Sequence, residues 1–99
     1  MTKKLPPLHP GEVLREEFLV PLDMSAGALA KVMDVPRTRV ERIAAEESNI
    51  TATSALMLGK ALNTSPLFWL NLQSRYDVEM AKKEIGKKLQ RIEPVPETA

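Results

Sequence analysis

Apolar residues recur every three or four positions through most of this chain, and no stretch alternates strictly between apolar and polar residues. The first spacing is that of one face of an α-helix, whereas strict alternation would indicate a β-strand. Turn and cap residues divide the pattern into five or six segments. The sequence therefore predicts an all-α fold of five or six helices.

The first helix is predicted to begin at His9, after residues 1–8, which carry prolines and no periodicity and are expected to form a mobile arm. Pro10 suits the first helical position. Glu12 stands where its carboxylate would bond back to the His9 amide in a capping box. The helix is expected to end before Pro21, which cannot donate a ladder hydrogen bond. The positions predicted to face the core are Leu14 and Phe18.

Two short helices joined by a tight turn are predicted between Ser25 and Ala44. Ser25 is a favoured N-cap for the first of them. In the turn, Asp34 is expected to take a left-handed conformation, which glycine adopts more readily, and Pro36 opens the second helix. The predicted inward positions are Leu29, Val32 and Met33, followed by Val40 and Ile43. This is the pattern of a helix-turn-helix, whose second helix enters a DNA major groove.

Two further helix starts follow along the chain. Thr51 is predicted to be the N-cap of a fourth helix, with Ile50 and Ala55 placed for a hydrophobic staple, and its inward positions are Leu58, Ala61 and Leu62. Ser65-Pro66 is predicted to begin a fifth helix. The residues of that helix expected in the core are Phe68, Trp69, Leu72 and Tyr76.

A C-terminal helix is predicted over residues 77–92, either continuous with the fifth or broken near Asp77. Its apolar stripe is flanked by basic side chains, and it packs either on its own core or against a second copy of the chain. Residues 93–99 are expected to form a frayed tail. The stripe consists of Val78, Ala81, Ile85, Leu89 and Ile92.

Composition limits the size and the chemistry of the protein. A chain of 99 residues, 43% of them hydrophobic, predicts one core, in a domain over residues 9–76. The absence of cysteine and of a long apolar run leads us to expect a soluble cytoplasmic protein without membrane contact. Fourteen basic against thirteen acidic residues give a net charge of only +1, so any binding of nucleic acid must come from a local patch. Such a patch is offered by Arg37, Arg39 and Arg42.

The second helix of the predicted helix-turn-helix carries the candidate base contacts. Arginine can pair bidentately with guanine, and threonine can touch a base edge or a thymine methyl. The alternative is that these side chains only face solvent on the surface of the helix. The preceding helix and tight turn favour DNA contact over this alternative. The predicted base contacts are Arg37, Thr38 and Arg42. The predicted contacts to the DNA backbone are Ser25, Ala26, Lys31 and Arg39.

Catalytic and metal chemistry are not expected. With one histidine and no cysteine, the chain lacks the ligands of an ordinary zinc site, so capping is the expected role of His9. No serine nucleophile has a second histidine to activate it, and no Gly-rich phosphate loop occurs. We therefore expect no cofactor, no metal and no enzymatic activity.

Four segments resemble the HigA family of antitoxins, also called virulence-associated protein I. They are His9–Leu19, Pro36–Val40, Ile50-Thr51 and above all Ser65–Asp77, collinear within roughly residues 9 to 82. The helix-turn-helix by itself is similar to that of Cro/C1-type regulators in general. The segment Phe-Trp-Leu-Asn-Leu-Gln narrows the resemblance to the HigA family. It implies a lambda repressor-like domain and a homodimer that binds an inverted-repeat operator in double-stranded DNA. It also implies repression of its own promoter and neutralisation of a HigB-type toxin, a ribosome-dependent mRNA endonuclease.

The chain departs from the family pattern at two places. Asp34 stands where the family usually has glycine, and Glu46-Glu47 replaces a Gly-basic pair after the recognition helix. Carboxylates near a phosphate repel it, so the second change is expected to weaken one backbone contact. Two other functions stay open, a solitary Cro/C1-type regulator without a toxin and a protein-interaction module without DNA binding.

Overall fold

Five helices and no strand make up residues 7–96, the part of the chain that the computed structural model describes. Helix α1 begins as Pro10–Val13 and continues as a π-helical segment, Leu14–Leu19; the others are α2 (Ala26–Met33), α3 (Arg37–Ala44), α4 (Ala52–Leu62) and α5 (Pro66–Arg91). The all-α prediction is confirmed, and the fifth and C-terminal helices form one continuous helix through Asp77. The predicted mobile arm lies almost wholly outside the described residues, as do residues 97–99 of the predicted tail.

His9 caps the start of α1 with its own side chain. The Gly11 N–H donates to His9 Nδ1 at 2.8 Å, while Pro10 occupies the first helical turn. The prediction that the Glu12 carboxylate bonds to the His9 amide is wrong, because these two groups form no hydrogen bond in the structure. The imidazole already satisfies the free amide of the first turn, and Glu12 lies in solvent.

The His9 ring is buried between α1 and α5. It is 3% exposed and meets Tyr76 edge-on with ring centroids 4.8 Å apart. Burial lowers the pKa of His9 from its ordinary value of 6.5, and the carboxylates of Glu46 and Asp77 oppose that shift. The neutral ring is the form that fits, because a protonated imidazole cannot accept the Gly11 N–H.

Acid is therefore expected to destabilise the fold through His9. Because the folded-state pKa lies below the unfolded one, the unfolded chain binds the proton more readily. The free energy of unfolding is then fully retained above about pH 6.5 and falls as the pH is lowered through that value. We expect a lower urea midpoint at pH 5.5 than at pH 7.5. His9→Asn keeps a capping oxygen without titrating in this range, so a midpoint drop as large as that of the wild type would contradict this role of His9.

The turn between α2 and α3 takes the conformation expected of a helix-turn-helix. Asp34 is left-handed, with φ 57° and ψ 49°, as predicted. Leu29 and Met33 are buried as predicted, but the prediction for Val32 is wrong, since it is 60% exposed. Ala30 is buried instead, which rotates the inward face of α2 away from Val32.

All five helices contribute buried residues to the core. Trp69 is completely buried, and its indole N–H donates to Thr64 Oγ1 at 2.8 Å. Ile50 and Ala55 are both buried beside the Thr51 N-cap, as a hydrophobic staple requires. Phe68 departs from its predicted core position: it is 40% exposed and packs edge-on against Trp69 at the margin of the core. The buried and partly buried predicted core residues also include Leu14, Phe18, Val40, Ile43, Leu58, Ala61, Leu62 and Leu72.

The C-terminal half of α5 extends beyond this core. All five residues of the predicted apolar stripe are exposed, Val78 and Ile92 by more than half. Nothing within residues 7–96 covers the stripe. No helix among these residues is both long enough and apolar enough to cross a membrane.

Candidate nucleic-acid interface

Helix α3 buries one face and exposes the other. Val40 and Ile43 are at most 2% exposed and hold the helix against the core. The three predicted base-contacting residues, Arg37, Thr38 and Arg42, all lie on the exposed face. The structure therefore brings together the side chains that the sequence singled out for base contact.

Arg37 links α3 to the start of α2. A Cβ placed on Gly27 would lie 3.1 Å from Arg37 Cδ, so the aliphatic stem of the arginine runs directly over this glycine. Its guanidinium Nε pairs with Glu41 Oε2 at 3.2 Å, one turn along α3. Both side chains are largely exposed, so the pair is open to competition from a stronger anion.

The N-terminus of α2 lies beside this arginine. Ser25 caps the helix, accepting the Ala28 N–H at 3.0 Å, and its side chain is exposed. The amides of Ala26 and Gly27 belong to the first turn of α2, where no intrahelical acceptor exists. This helix end therefore combines partial positive charge with a nearby guanidinium, which is suited to a phosphate. Lys31, also a predicted backbone contact, is exposed farther along α2.

A polar groove of about 310 Å³ separates α3 from the start of α4. Arg39, expected at the DNA backbone, borders it and donates to Ser54 Oγ at 3.3 Å, which draws the guanidinium toward α4. Arg42 and Thr38 reach the same groove from α3. Its other lining residues are Pro36, Ile43, Ser48, Asn49, Thr51 and Ser54.

Sequence reasoning missed the polar wall of this groove. Ser48, Asn49 and Thr51 are hydrogen-bonding residues in the connection that follows the recognition helix, and Ser54 lies in the first turn of α4. The sequence predicts that residues 48–51 form a connection that ends at the N-cap Thr51. Its position beside Arg42 depends on the packing of α4, which the local pattern does not specify.

Arg15 fixes the opposite end of α3 to α1. Its Nη1 donates to the Ala44 carbonyl in the last turn of α3, and its Nη2 pairs with Glu46 Oε2 at 3.2 Å. Hydrogen bonds from Arg15 to Glu16 and Glu46 raise the pKa of the arginine above its ordinary value. The Glu46 carboxylate is thus turned toward Arg15 and paired with its guanidinium.

Glu46 also has a backbone conformation that favours glycine. Its φ is 65°, in the left-handed region that glycine adopts without strain. Arg15 and Ser25 share a second, shallower groove of about 530 Å³ between α1 and α2. Arg15 is a further missed residue, since nothing in its helical spacing predicts a contact with α3.

Among residues 7–96, no group of three histidine or acidic side chains is placed to hold a metal ion. The single histidine is used as a cap, as predicted.

The chain is similar to proteins of known class, although no protein-family model matches it. Virulence-associated protein I of Dichelobacter nodosus is 43% identical over 81 residues, 82% of this chain and 75% of that protein. The structure of Pseudomonas aeruginosa antitoxin HigA with the higBA promoter has a TM-score of 0.86 and 43% identity, covering 91% of this chain and 99% of that one. A HigA-family addiction module antidote protein from Coxiella burnetii has a TM-score of 0.85 and 46% identity, covering 92% of this chain and 100% of that one.

Proposed function

The chain belongs to the HigA family of antitoxins, and from that premise we propose that it is a DNA-binding antitoxin that represses its own promoter and neutralises a HigB-type toxin. The observation that carries the DNA-binding part is the exposed face of α3, which presents Arg37, Thr38 and Arg42. Arg37 lies beside the N-terminus of α2, and Thr38 and Arg42 line the groove toward α4. An exposed helix face with two arginines and a threonine, next to a helix N-terminus, suits a major groove and the phosphates that border it.

In this proposal the side chains divide into two classes. Arg42 and Thr38 project from the exposed face of α3 and read base edges, and Arg37 reads a base after exchanging Glu41 for DNA. The contacts to the DNA backbone come from the start of α2 and from the groove beside α4. They are Ser25, Ala26, Lys31 and Arg39.

We further propose that the protein acts as a homodimer on an inverted repeat. A two-fold operator is read by two recognition helices about one turn of DNA apart. The uncovered apolar stripe on the C-terminal half of α5 supplies a surface that a second copy can bury. Neither DNA binding nor neutralisation of a toxin calls for a cofactor or for catalysis.

A titration by fluorescence anisotropy tests the DNA-binding proposal. The probes are a duplex selected by the wild-type protein from a randomised DNA pool and a scrambled duplex of the same length, at low and near-physiological salt. We expect discrimination of about 10³-fold or more, which is the range of specific repressors. Equal binding to both duplexes, only at low salt, would instead support a protein-interaction module. Light scattering of the free protein at micromolar concentration tests the dimer.

Co-expression tests the antitoxin part of the proposal. The open reading frame next to that of this protein is expressed from an inducible promoter, with and without the antitoxin. We expect growth arrest that the antitoxin relieves, together with co-purification of the two proteins. A chain that binds its operator but relieves no arrest and retains no partner would be a solitary regulator.

Ser25→Asp is expected to abolish phosphate binding at α2 while leaving the fold intact. Aspartate is as good an N-cap as serine, so the melting temperature should change little. Its carboxylate would occupy the site proposed for a phosphate and repel it, so affinity should fall by a similar factor on selected and scrambled duplexes. The matched control is Ser65→Asp, at the equivalent N-cap of α5. Equal effects of the two variants on DNA affinity would contradict the proposed contact.

A further inference from the structure

Gln73 is a buried amide in the middle of α5, and each of its polar atoms has a partner. It is 5% exposed, and its Oε1 accepts the Ile50 N–H at 2.6 Å. Its Nε2 donates to Asp77 Oδ1 at 2.9 Å and to Asn49 Oδ1 at 3.2 Å. Because a backbone N–H can only donate and a carboxylate accepts, these neighbours allow the Gln73 amide one orientation.

The orientation of Gln73 determines that of Asn49. Since Gln73 Nε2 occupies Asn49 Oδ1, the remaining group of the asparagine is Nδ2, with two N–H donors. Asn49 is exposed and lines the groove beside Arg39 and Arg42. Phosphate oxygens only accept hydrogen bonds, so an asparagine that presents N–H groups can bind one and an asparagine that presents its carbonyl cannot.

We propose that Gln73 is a positioning residue of the DNA interface: through Asp77, Gln73 and Asn49, α5 turns the Asn49 amide so that its N–H groups donate to a DNA phosphate. This inference rests on the proposed DNA binding. The bond to Ile50 alone would tie α5 to the connection before α4. The second bond, from a buried amide to an exposed side chain, adds little to the core, and its effect is to orient Asn49.

A double-mutant cycle separates positioning from a structural role. Asn49→Ala removes the donor and is expected to weaken binding to the selected duplex about tenfold, the loss of one hydrogen bond to a charged group, with equal loss on the scrambled duplex. Gln73→Glu keeps an acceptor for Ile50 but presents a second oxygen to Asn49. The asparagine then turns its Nδ2 toward the glutamate and its carbonyl toward the phosphate. Gln73→Glu should therefore weaken binding at least as much as Asn49→Ala.

The double variant gives the decisive outcome. With Asn49 already replaced by alanine, Gln73→Glu should cause only the small further loss due to its added negative charge, far less than it causes in the wild type, and the double variant should bind no more weakly than Gln73→Glu alone. A merely structural role predicts that the two losses multiply. That result, with the wild type bound normally, would overturn the positioning role and leave the proposed DNA binding standing. A wild type that selects no DNA from the pool would overturn both.

Gln73→Glu places a second carboxyl group beside Asp77, and if that variant does not fold, Asn49→Asp tests the proposal in its place. Position 49 is exposed, and one carboxylate oxygen can still accept from Gln73, so the fold should be retained. The other oxygen then faces the groove, and binding should fall more than tenfold. Affinity equal to that of the wild type would overturn the proposal. Thermal unfolding by circular dichroism shows that each variant is folded at the temperature of the titration.

Discussion

Replacing Gly11 by alanine is expected to cost the protein about 3 kcal/mol or more of its free energy of unfolding. A Cβ at this position would collide with the backbone carbonyl oxygen of Ile43, in α3. The Cβ is fixed rigidly to the backbone of α1 and the carbonyl oxygen belongs to the backbone of α3, so the two helices would have to move apart. Because a domain of this size is stabilised by about 5 to 15 kcal/mol in all, this loss removes about a fifth or more of the total stability and disturbs the docking of the recognition helix.

Gly86→Ala is the matched control for this prediction. It makes the same change inside a helix, but a Cβ on Gly86 meets nothing within 4 Å. Alanine should therefore stabilise α5 by about 0.5 to 1 kcal/mol through its higher helix propensity. Urea unfolding of both variants measures the two effects. A Gly11→Ala variant as stable as the wild type would show that α1 and α3 do not approach as closely as described.

The double variant Arg37→Ala/Arg42→Ala is expected to lose about 2 to 6 kcal/mol of binding free energy on the selected duplex, which is about 30-fold to 20,000-fold in Kd. Both guanidinium groups lie on the exposed face of α3, and neither supports the core. Their loss should therefore leave the melting temperature nearly unchanged. Affinity for the scrambled duplex should fall much less, because base contacts are absent there and only phosphate attraction is lost.

The control for charge is Lys88→Ala/Arg91→Ala, in the last turn of α5. This variant also loses two positive charges, but from α5 and not from α3. It therefore measures the effect of net charge alone. We expect it to weaken binding to both duplexes slightly and by the same factor. If the two double variants lose affinity equally and keep the same ratio between selected and scrambled DNA, α3 does not read bases.

The comparison of Arg37 with Arg15 shows how much of the candidate interface was predictable from sequence. The outward position of Arg37, Thr38 and Arg42 follows from the spacing of Val40 and Ile43, because one turn of helix fixes which side chains oppose the core. Arg15 and Asn49 instead depend on partners distant along the chain. No local pattern predicts contacts from Arg15 to Ala44, or from Asn49 to Gln73.

The errors at Val32 and Phe68 have the same origin. Both residues have helical spacing and apolar side chains suited to a core, yet they are 60% and 40% exposed. A periodic pattern predicts the centre of an apolar face, but neighbouring helices decide how far burial extends around it. In α2 the buried arc moves toward Ala30, and at the start of α5 Trp69 takes the central place.

The sequence by itself determined the helices, their caps, the left-handed turn at Asp34 and the family of this protein, because these depend on side chains within a few residues of one another. Only the tertiary structure decided the pairing of Arg15 with the end of α3, the groove between α3 and α4, and the relay from Asp77 through Gln73 to Asn49. Each of these brings together segments that are distant along the chain. Such contacts depend on how buried faces pack and on where buried polar groups find partners, and both are settled only when the whole core forms.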